Sequence, residues 1–159
     1  MELILSKLKI KKATPENWNE ILELMKETGR TVFFTGDENY KKFYTVRDEN
    51  QKIISAFEIE SKINVAILKF FGVRKNLQGK GIGKYIANKT PELVKESGVK
   101  KLYACTWEAP EFWSKTSFKE IKIRDVKDKF FLDYLSKLEK GFPYEFNNLL
   151  KILLVQIDN

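Results

Sequence analysis

Ala66-Ile-Leu-Lys-Phe-Phe-Gly-Val73 leads within a few residues into Gln78-Gly-Lys-Gly-Ile-Gly-Lys84, an apolar run followed by a glycine-punctuated bend. The nearly continuous apolar stretch from Asn64 to Val73 predicts a strand covered on both faces and central in its sheet. Gly79, Gly81 and Gly83 remove the Cβ atoms that keep a ligand off the backbone. None of residues 79–84 is proline, so each offers a main-chain N–H. Ile82, Ile86, Leu93 and Val94 then mark a helix ending near Gly98, with Pro91 expected to kink or restart it. The first N–H groups of such a helix lack internal partners and favour an anion.

Charge points the same way. Residues 61–91 carry Lys62, Lys69, Arg74, Lys75, Lys80, Lys84 and Lys89 and no acid. Taking these seven from the 29 basic residues leaves 22, equal to the 22 acidic ones, so the whole formal excess of +7 sits around the bend. A concentrated basic surface draws anionic ligands. A solvated lysine-rich face is the plain alternative for the charge run alone, and the adjoining glycines decide for an anion site.

The 159 residues fit one domain, 1–159, large enough to bury a proper core. With 43% hydrophobic and 32% charged residues the composition is that of a soluble globular protein. No run approaches the ~20 apolar residues of a membrane span, and Met-Glu-Leu-Ile-Leu-Ser-Lys7 is no signal peptide, so a cytoplasmic protein without a membrane partner is expected. A single cysteine, Cys105, excludes an internal disulfide and fits a reducing compartment. The absence of histidine beside one cysteine argues against a zinc site, so no metal is expected, and it removes the commonest general base. Any catalysis must use carboxylates, tyrosines, lysines, main-chain groups or water. The net charge raises nucleic acid as a partner, but no RRM, zinc-finger or recognition-helix signature accompanies it.

Outside the bend, residues 3–13 suggest a first strand. Thr14-Pro15-Glu16 opens a helix that Trp18, Ile21, Leu22 and Met25 continue up to Gly29. A short helix or a loop both fit Arg30 to Lys41. Phe43–Val46 and Lys52–Glu60 read as two strands joined by the Asp48–Gln51 turn. On the second, Glu58 and Glu60 share the face opposite Phe57 and Ile59. Lys101–Thr106 is a strand, Ala109–Lys115 a short helix, and Phe118–Ile123 a strand. Val126, Phe130, Phe131, Tyr134, Leu135 and Leu138 form an amphipathic helix stopped by Gly141 and Pro143, and Ile152–Ile157 closes the sheet. The fold class is α/β (α+β): a mixed, mostly antiparallel sheet of about seven strands flanked by helices.

A Walker A loop is excluded because no glycine lies five positions before Gly83, and a Rossmann fingerprint because Lys84 stands where its third glycine belongs. The pattern present is Gln78-x-x-Gly81-x-Gly83. Between a strand and a helix, it resembles the acyl-CoA site of the GNAT superfamily of N-acetyltransferases. The resemblance covers roughly residues 8–123. It includes Lys9-Ile-Lys-Lys-Ala-Thr14 with Trp18, the Asp48–Gln51 hairpin and Gly98-Val-Lys-Lys-Leu-Tyr103. Ala109-x-x-Phe112-Trp113-x-Lys115-x-x-Phe118 also falls where the family has a similar segment.

The resemblance implies acetyl-CoA as co-substrate. Its pyrophosphate would lie on the N–H groups of Gly79, Lys80, Gly81, Ile82, Gly83 and Lys84, after Gln78. Its pantetheine would pair with the backbone of Phe71, Gly72 and Val73, and the Phe71 N–H would polarise the thioester carbonyl. Lys80 and Lys84, then Arg74 and Lys75, are candidates for the phosphates. Three departures accompany the resemblance. Trp113 stands where members often place a tyrosine acid, leaving it to pack on the pantetheine or in the core. Ile67 stands where some place a glutamate base. Thr106 stands for an asparagine and keeps a hydrogen-bonding hydroxyl. Residues 124–150 are a helical insertion before the last strand.

Glu58 and Glu60 are the candidate bases, acting through water, with a solvated strand face as their alternative. Tyr103 or Tyr134 are candidate acids, or core and surface residues. The expected function is acetyl transfer from acetyl-CoA to a primary amine, of a small molecule or a protein, by direct attack in a ternary complex, in a monomer or homodimer. The alternative is a non-catalytic CoA-binding or sensing module.

Overall fold

The computed structural model describes residues 3–107, 109–141 and 150–157. Seven strands form one mostly antiparallel sheet flanked by helices, as the sequence predicts. They are β1 (Lys9–Lys12), β2 (Phe43–Arg47), β3 (Ile53–Lys62), β4 (Val65–Val73), β5 (Lys101–Thr106), β6 (Lys119–Ile121) and β7 (Lys151–Gln156). Their order is β1-β2-β3-β4-β5-β7-β6, which makes the apolar β4 the middle strand. The helices are α1 (Trp18–Glu27), α2 (Ile82–Lys95), α3 (Pro110–Ser114) and α4 (Lys129–Gly141). By contact density the chain divides into two units, Met1–Ile59 with Lys69–Tyr85, and Glu60–Leu68 with Ile86–Asn159. Among the described residues no helix is long and apolar enough to cross a membrane.

In the first unit β1, β2 and β3 form an antiparallel ladder, with Lys9 opposite Arg47 and Phe43 opposite Glu58. α1 covers it with Ile21, Leu24 and Met25, which pack with Phe43, Ile53, Ala56 and Phe70. The expected helix start is present in modified form. Thr14 and Asn17 cap each other around a 3-10 turn, Pro15–Asn17, that runs into α1. Gly29 ends this helix with φ +74°, a left-handed conformation that glycine adopts freely. The undecided segment after it begins with a 3-10 turn, Arg30–Phe33, and ends with another, Tyr40–Lys42.

In the second unit Val65–Ile67 of β4 pairs in parallel with Lys101–Tyr103 of β5. β5 pairs antiparallel with all of β7, whose other edge takes β6. α4 lays Phe131, Leu135 and Leu138 on Val65, Ile67, Tyr103 and Ile152. The ring of Phe131 stacks on Tyr103 at 4.3 Å between centroids.

Several boundaries differ from the sequence expectation. Leu5–Lys7 is a 3-10 turn, leaving β1 only four residues. β6 stops at Ile121 and a 3-10 turn, Ile123–Asp125, follows. Val126 is buried ahead of α4, which starts at Lys129 because Asp128 precedes it and its carbonyl accepts the N–H groups of Phe131 and Leu132. Pro143 and the last part of the 124–150 insertion lie outside the described residues. α2 is a single helix through Pro91. The proline cannot donate to the Ala87 carbonyl four residues back, and the buried Thr90 hydroxyl donates to it instead at 2.7 Å.

Candidate active site

β4 does not run as a regular strand to its end. Phe70 has φ +56°, a left-handed conformation at a bulky aromatic residue. Holding it there costs about 1–3 kcal/mol, which the surroundings must offset. The Phe70 ring packs edge-on against Phe34 at 4.8 Å and stacks with Phe43 at 6.2 Å. The next three carbonyls each accept a side-chain hydrogen bond. Arg30 Nε donates to Phe71 O at 2.9 Å, the buried Ser55 hydroxyl to Gly72 O at 2.7 Å, and Gln78 Nε2 to Val73 O at 2.9 Å. The stretch expected to face a pantetheine is therefore a tightly specified segment that follows a left-handed residue.

Beyond Val73, a 3-10 turn at Lys75–Leu77 brings the chain to Gln78. Gly79 and Gly81 have φ +80° and +83°, and a Cβ at either would meet nothing within 4 Å. The two glycines are thus required by backbone conformation, and the space beside them is open. Residues 78–81 are exposed, whereas Ile82 is buried and anchors the start of α2. Gly81 O accepts the Tyr85 N–H at 3.1 Å, so the helix begins at Ile82 and its first N–H groups precede the helical ladder. The first turn holds no acid, and Lys80 and Lys84 are exposed beside it.

The end of α1 grips both features. A Cβ on Gly72 would lie 2.6 Å from Thr28 Oγ1, 3.2 Å from Leu24 and 3.3 Å from Met25, so α1 packs directly on the β4 backbone. Glu27 accepts the Lys75 N–H at 2.9 Å and an Arg74 η-nitrogen at 3.2 Å. These contacts, the main-chain bond first, hold its carboxyl below the usual glutamate range. Arg74 also donates through Nε to Ile53 O at 3.1 Å and lies 3.6 Å from Glu20. The sequence offers Arg74 as a phosphate ligand, but its guanidinium is spent on fastening the loop to α1 and β3. Glu27, Arg30, Ser55 and the left-handed Phe70 belong to no sequence motif that singles them out. The one available signal was the seven-residue spacing of Glu20 and Glu27, which puts both on one face of α1.

Glu58 is buried, at 2% exposure, and Lys69 Nζ lies 3.3 Å from its carboxylate. The solvated-face alternative therefore does not describe Glu58, while Glu60 is half-buried. Nearby charge also reaches the loop after α1. Asp37 is held below the usual aspartate range, chiefly by the Thr35 hydroxyl, with help from Lys42 and Lys69.

The remaining candidates lie in the second unit. Thr106 is buried and its Oγ1 accepts the Ala109 N–H at 3.1 Å. Trp113 is 7% exposed and packs edge-on with Phe112 and Phe118. Ile67 is fully buried in the apolar cluster under α4. The Tyr103 hydroxyl donates to Asp128, which Lys101 also pairs at 3.2 Å. Burial, then the Asp128 carboxylate, pushes the Tyr103 phenol far above its usual range, opposite to what a general acid needs.

A sequence model of the acetyltransferase (GNAT) family matches residues 11–115. No curated protein sequence matches the chain. Among solved structures, the N-acetylglutamate synthase of Neisseria gonorrhoeae in complex with coenzyme A and N-acetyl-glutamate is similar at TM-score 0.74 and 12% identity. That match covers 100% of this chain and 36% of the synthase, so the chain spans about a third of that enzyme's length. A Mycobacterium tuberculosis protein solved with CoA is similar at TM-score 0.71 and 14% identity, over 94% of this chain and 99% of that one. A GNAT-family acetyltransferase of Staphylococcus aureus has TM-score 0.64 and 18% identity, over 95% and 99%. At such identities the likeness carries the fold.

Proposed function

The chain belongs to the acetyltransferase (GNAT) family, and from that premise we propose that it moves the acetyl group of acetyl-CoA to a primary amine by direct attack in a ternary complex. One observation carries the reading. Gly79 and Gly81, both left-handed with open space where a Cβ would stand, lead into a helix start without an acid and flanked by exposed lysines. In this reading the N–H groups of Gly79 to Lys84 take the pyrophosphate, with Lys80 and Lys84 adding charge. Residues Phe71 to Val73 align the pantetheine, and the Phe71 N–H polarises the thioester oxygen.

The amine nitrogen attacks the thioester carbon, the C–S bond breaks, and CoA leaves as its thiolate. An alkyl ammonium titrates near pH ~10.4, so one proton must go before attack. Glu58, and Glu60 on the same strand, are assigned to receive it through water. A thiol with pKa ~8.5 is a fair leaving group, and its thiolate takes up, through solvent, the second proton that the acylated nitrogen sheds on becoming an amide. Positioning and carbonyl polarisation supply most of the acceleration. The reading extends to a soluble cytoplasmic enzyme, monomeric or homodimeric.

Two measurements test this. Acetyl-CoA at about 100 times its Kd should add about 2.7 kcal/mol, raising Tm by about 5–10 °C for a chain of this size. Thiol release from acetyl-CoA should then depend on an added amine, screened across small amines, polyamines and peptides with free lysines or N-termini. A protein whose Tm ignores acetyl-CoA is not an acyl-CoA enzyme. One that binds tightly and turns over no amine is a CoA-binding module, which the placement of Ile67 and the engaged Tyr103 hydroxyl would then explain.

A further inference from the structure

Resting on the acetyl-transfer reading, we propose that Arg30 is a positioning residue: by fixing the Phe71 carbonyl it pins the Phe71–Gly72 peptide and, across the Phe71 Cα, holds the Phe71 N–H of the preceding peptide in the place from which it polarises the thioester. Arg30 opens the 3-10 turn that follows Gly29, whose φ of +74° ends α1. The contact is a 2.9 Å hydrogen bond from Nε, over a sequence separation of 41 residues. A relaxed strand would have an extended Phe70. Rotation of φ from +56° towards that state turns over the preceding peptide and carries Phe71 out of place. Phe34 and Phe43 restrain the Phe70 ring, and Ser55 restrains the Gly72 carbonyl. Of these contacts, the Arg30 bond acts on Phe71 itself and comes from a cation, so it is short and directional. The Nε–H lies in the guanidinium plane close to the stem, which sets the direction of the carbonyl in a way that a rotating ammonium does not.

Isotope-edited infrared spectroscopy tests this without an amine. Acetyl-CoA labelled with 13C at the thioester carbonyl is bound to wild-type protein, Arg30→Ala and Arg30→Lys, and the carbonyl stretch, the Kd and the Tm are measured for each. Wild type should shift the stretch to lower frequency. Arg30→Ala should lose most of that shift while Kd changes by less than about tenfold. Arg30→Lys, which keeps the charge and guards against loss of fold in the alanine variant, should also fail to restore the shift. Once an amine is in hand, kcat should fall by about 10- to 100-fold with KM for acetyl-CoA little changed, short of the 10²–10³ from deleting an oxyanion donor outright. A full carbonyl shift in either variant, with only Tm lowered, makes Arg30 a structural residue and overturns the proposal. Wild type that binds acetyl-CoA without shifting the stretch overturns it too, since nothing is then positioned. Wild type that does not bind at all fails the acyl-CoA reading instead.

Discussion

Gly72→Ala places one methyl group where α1 meets β4, and its consequence can be worked through. Gly72 has no left-handed backbone to lose, so the substitution acts through contact alone. The new Cβ would stand 2.6 Å from Thr28 Oγ1, closer than real Cβ atoms approach. Thr28 cannot simply swing away, because its hydroxyl donates to Leu24 O at 2.9 Å and to Met25 O at 3.3 Å. Overpacking of this kind costs about 1–3 kcal/mol. Loss of glycine freedom in the unfolded chain returns about 0.4–1 kcal/mol. The net destabilisation is about 0.5–2 kcal/mol, or a Tm lowered by about 1–8 °C. Thr28→Ala removes the obstructing oxygen, so the double variant should be more stable than the two single effects predict. Urea denaturation of all four proteins gives the coupling directly. Since α1 carries Glu27 to the site, and the turn after it Arg30, Gly72→Ala should weaken acetyl-CoA binding more than Thr28→Ala does. Additive effects, or a Gly72→Ala protein as stable as wild type, would refute direct packing of helix on backbone.

Other consequences are simpler to state. Gly81→Ala and Gly81→Asp should both lose about 1–2 kcal/mol of stability from the left-handed backbone, but calorimetry should find acetyl-CoA binding weakened far more by the aspartate. Glu27 has a lowered carboxyl pKa in the fold, so its contribution is present at neutral pH, above the unfolded value of 4.5, and is lost as pH falls through the folded value. Glu27→Gln should therefore flatten the acid limb of a stability–pH curve below the unfolded value of 4.5 while leaving its neutral and alkaline sides unchanged. Tyr103→Phe should cost about 1–2 kcal/mol by removing the hydrogen bond to Asp128, yet leave the turnover of the folded protein intact. An activity loss beyond the folded fraction would restore Tyr103 as the acid.

The sheet was legible because its signals are periodic and local. The apolar β4 announces a central strand, the alternation in β3 a ladder, and the glycines a bend that only certain φ values allow. Phe70 was not legible: Lys-Phe-Phe-Gly reads as plain strand, and the left-handed residue, packed against Phe34 and Phe43, runs against its own preference. Long side chains were misjudged for a related reason. Arg74 lies in the basic stretch and looks like a phosphate ligand, but Glu20 and Glu27, distant in sequence, claim it. Glu58 alternates outward from Phe57, where a solvated face is the alternative to a base, yet it is buried and Lys69 of β4 pairs with it. Pro91 reads as a break, and the fold keeps the helix because Thr90 supplies the missing donor. Pattern shows where a residue stands along an element; it does not show which distant partner its functional group finds.

The central claim is that main-chain amides of the glycine bend hold a diphosphate. Isothermal titration of acetyl-CoA and of S-acetyl-pantetheine, which lacks the diphosphate, against wild type and Gly81→Asp tests it most directly. The account predicts acetyl-CoA at least about 100-fold tighter on wild type, with that preference collapsing in the variant. Equal affinity of the two ligands for wild type, or an undiminished preference in Gly81→Asp, would contradict it.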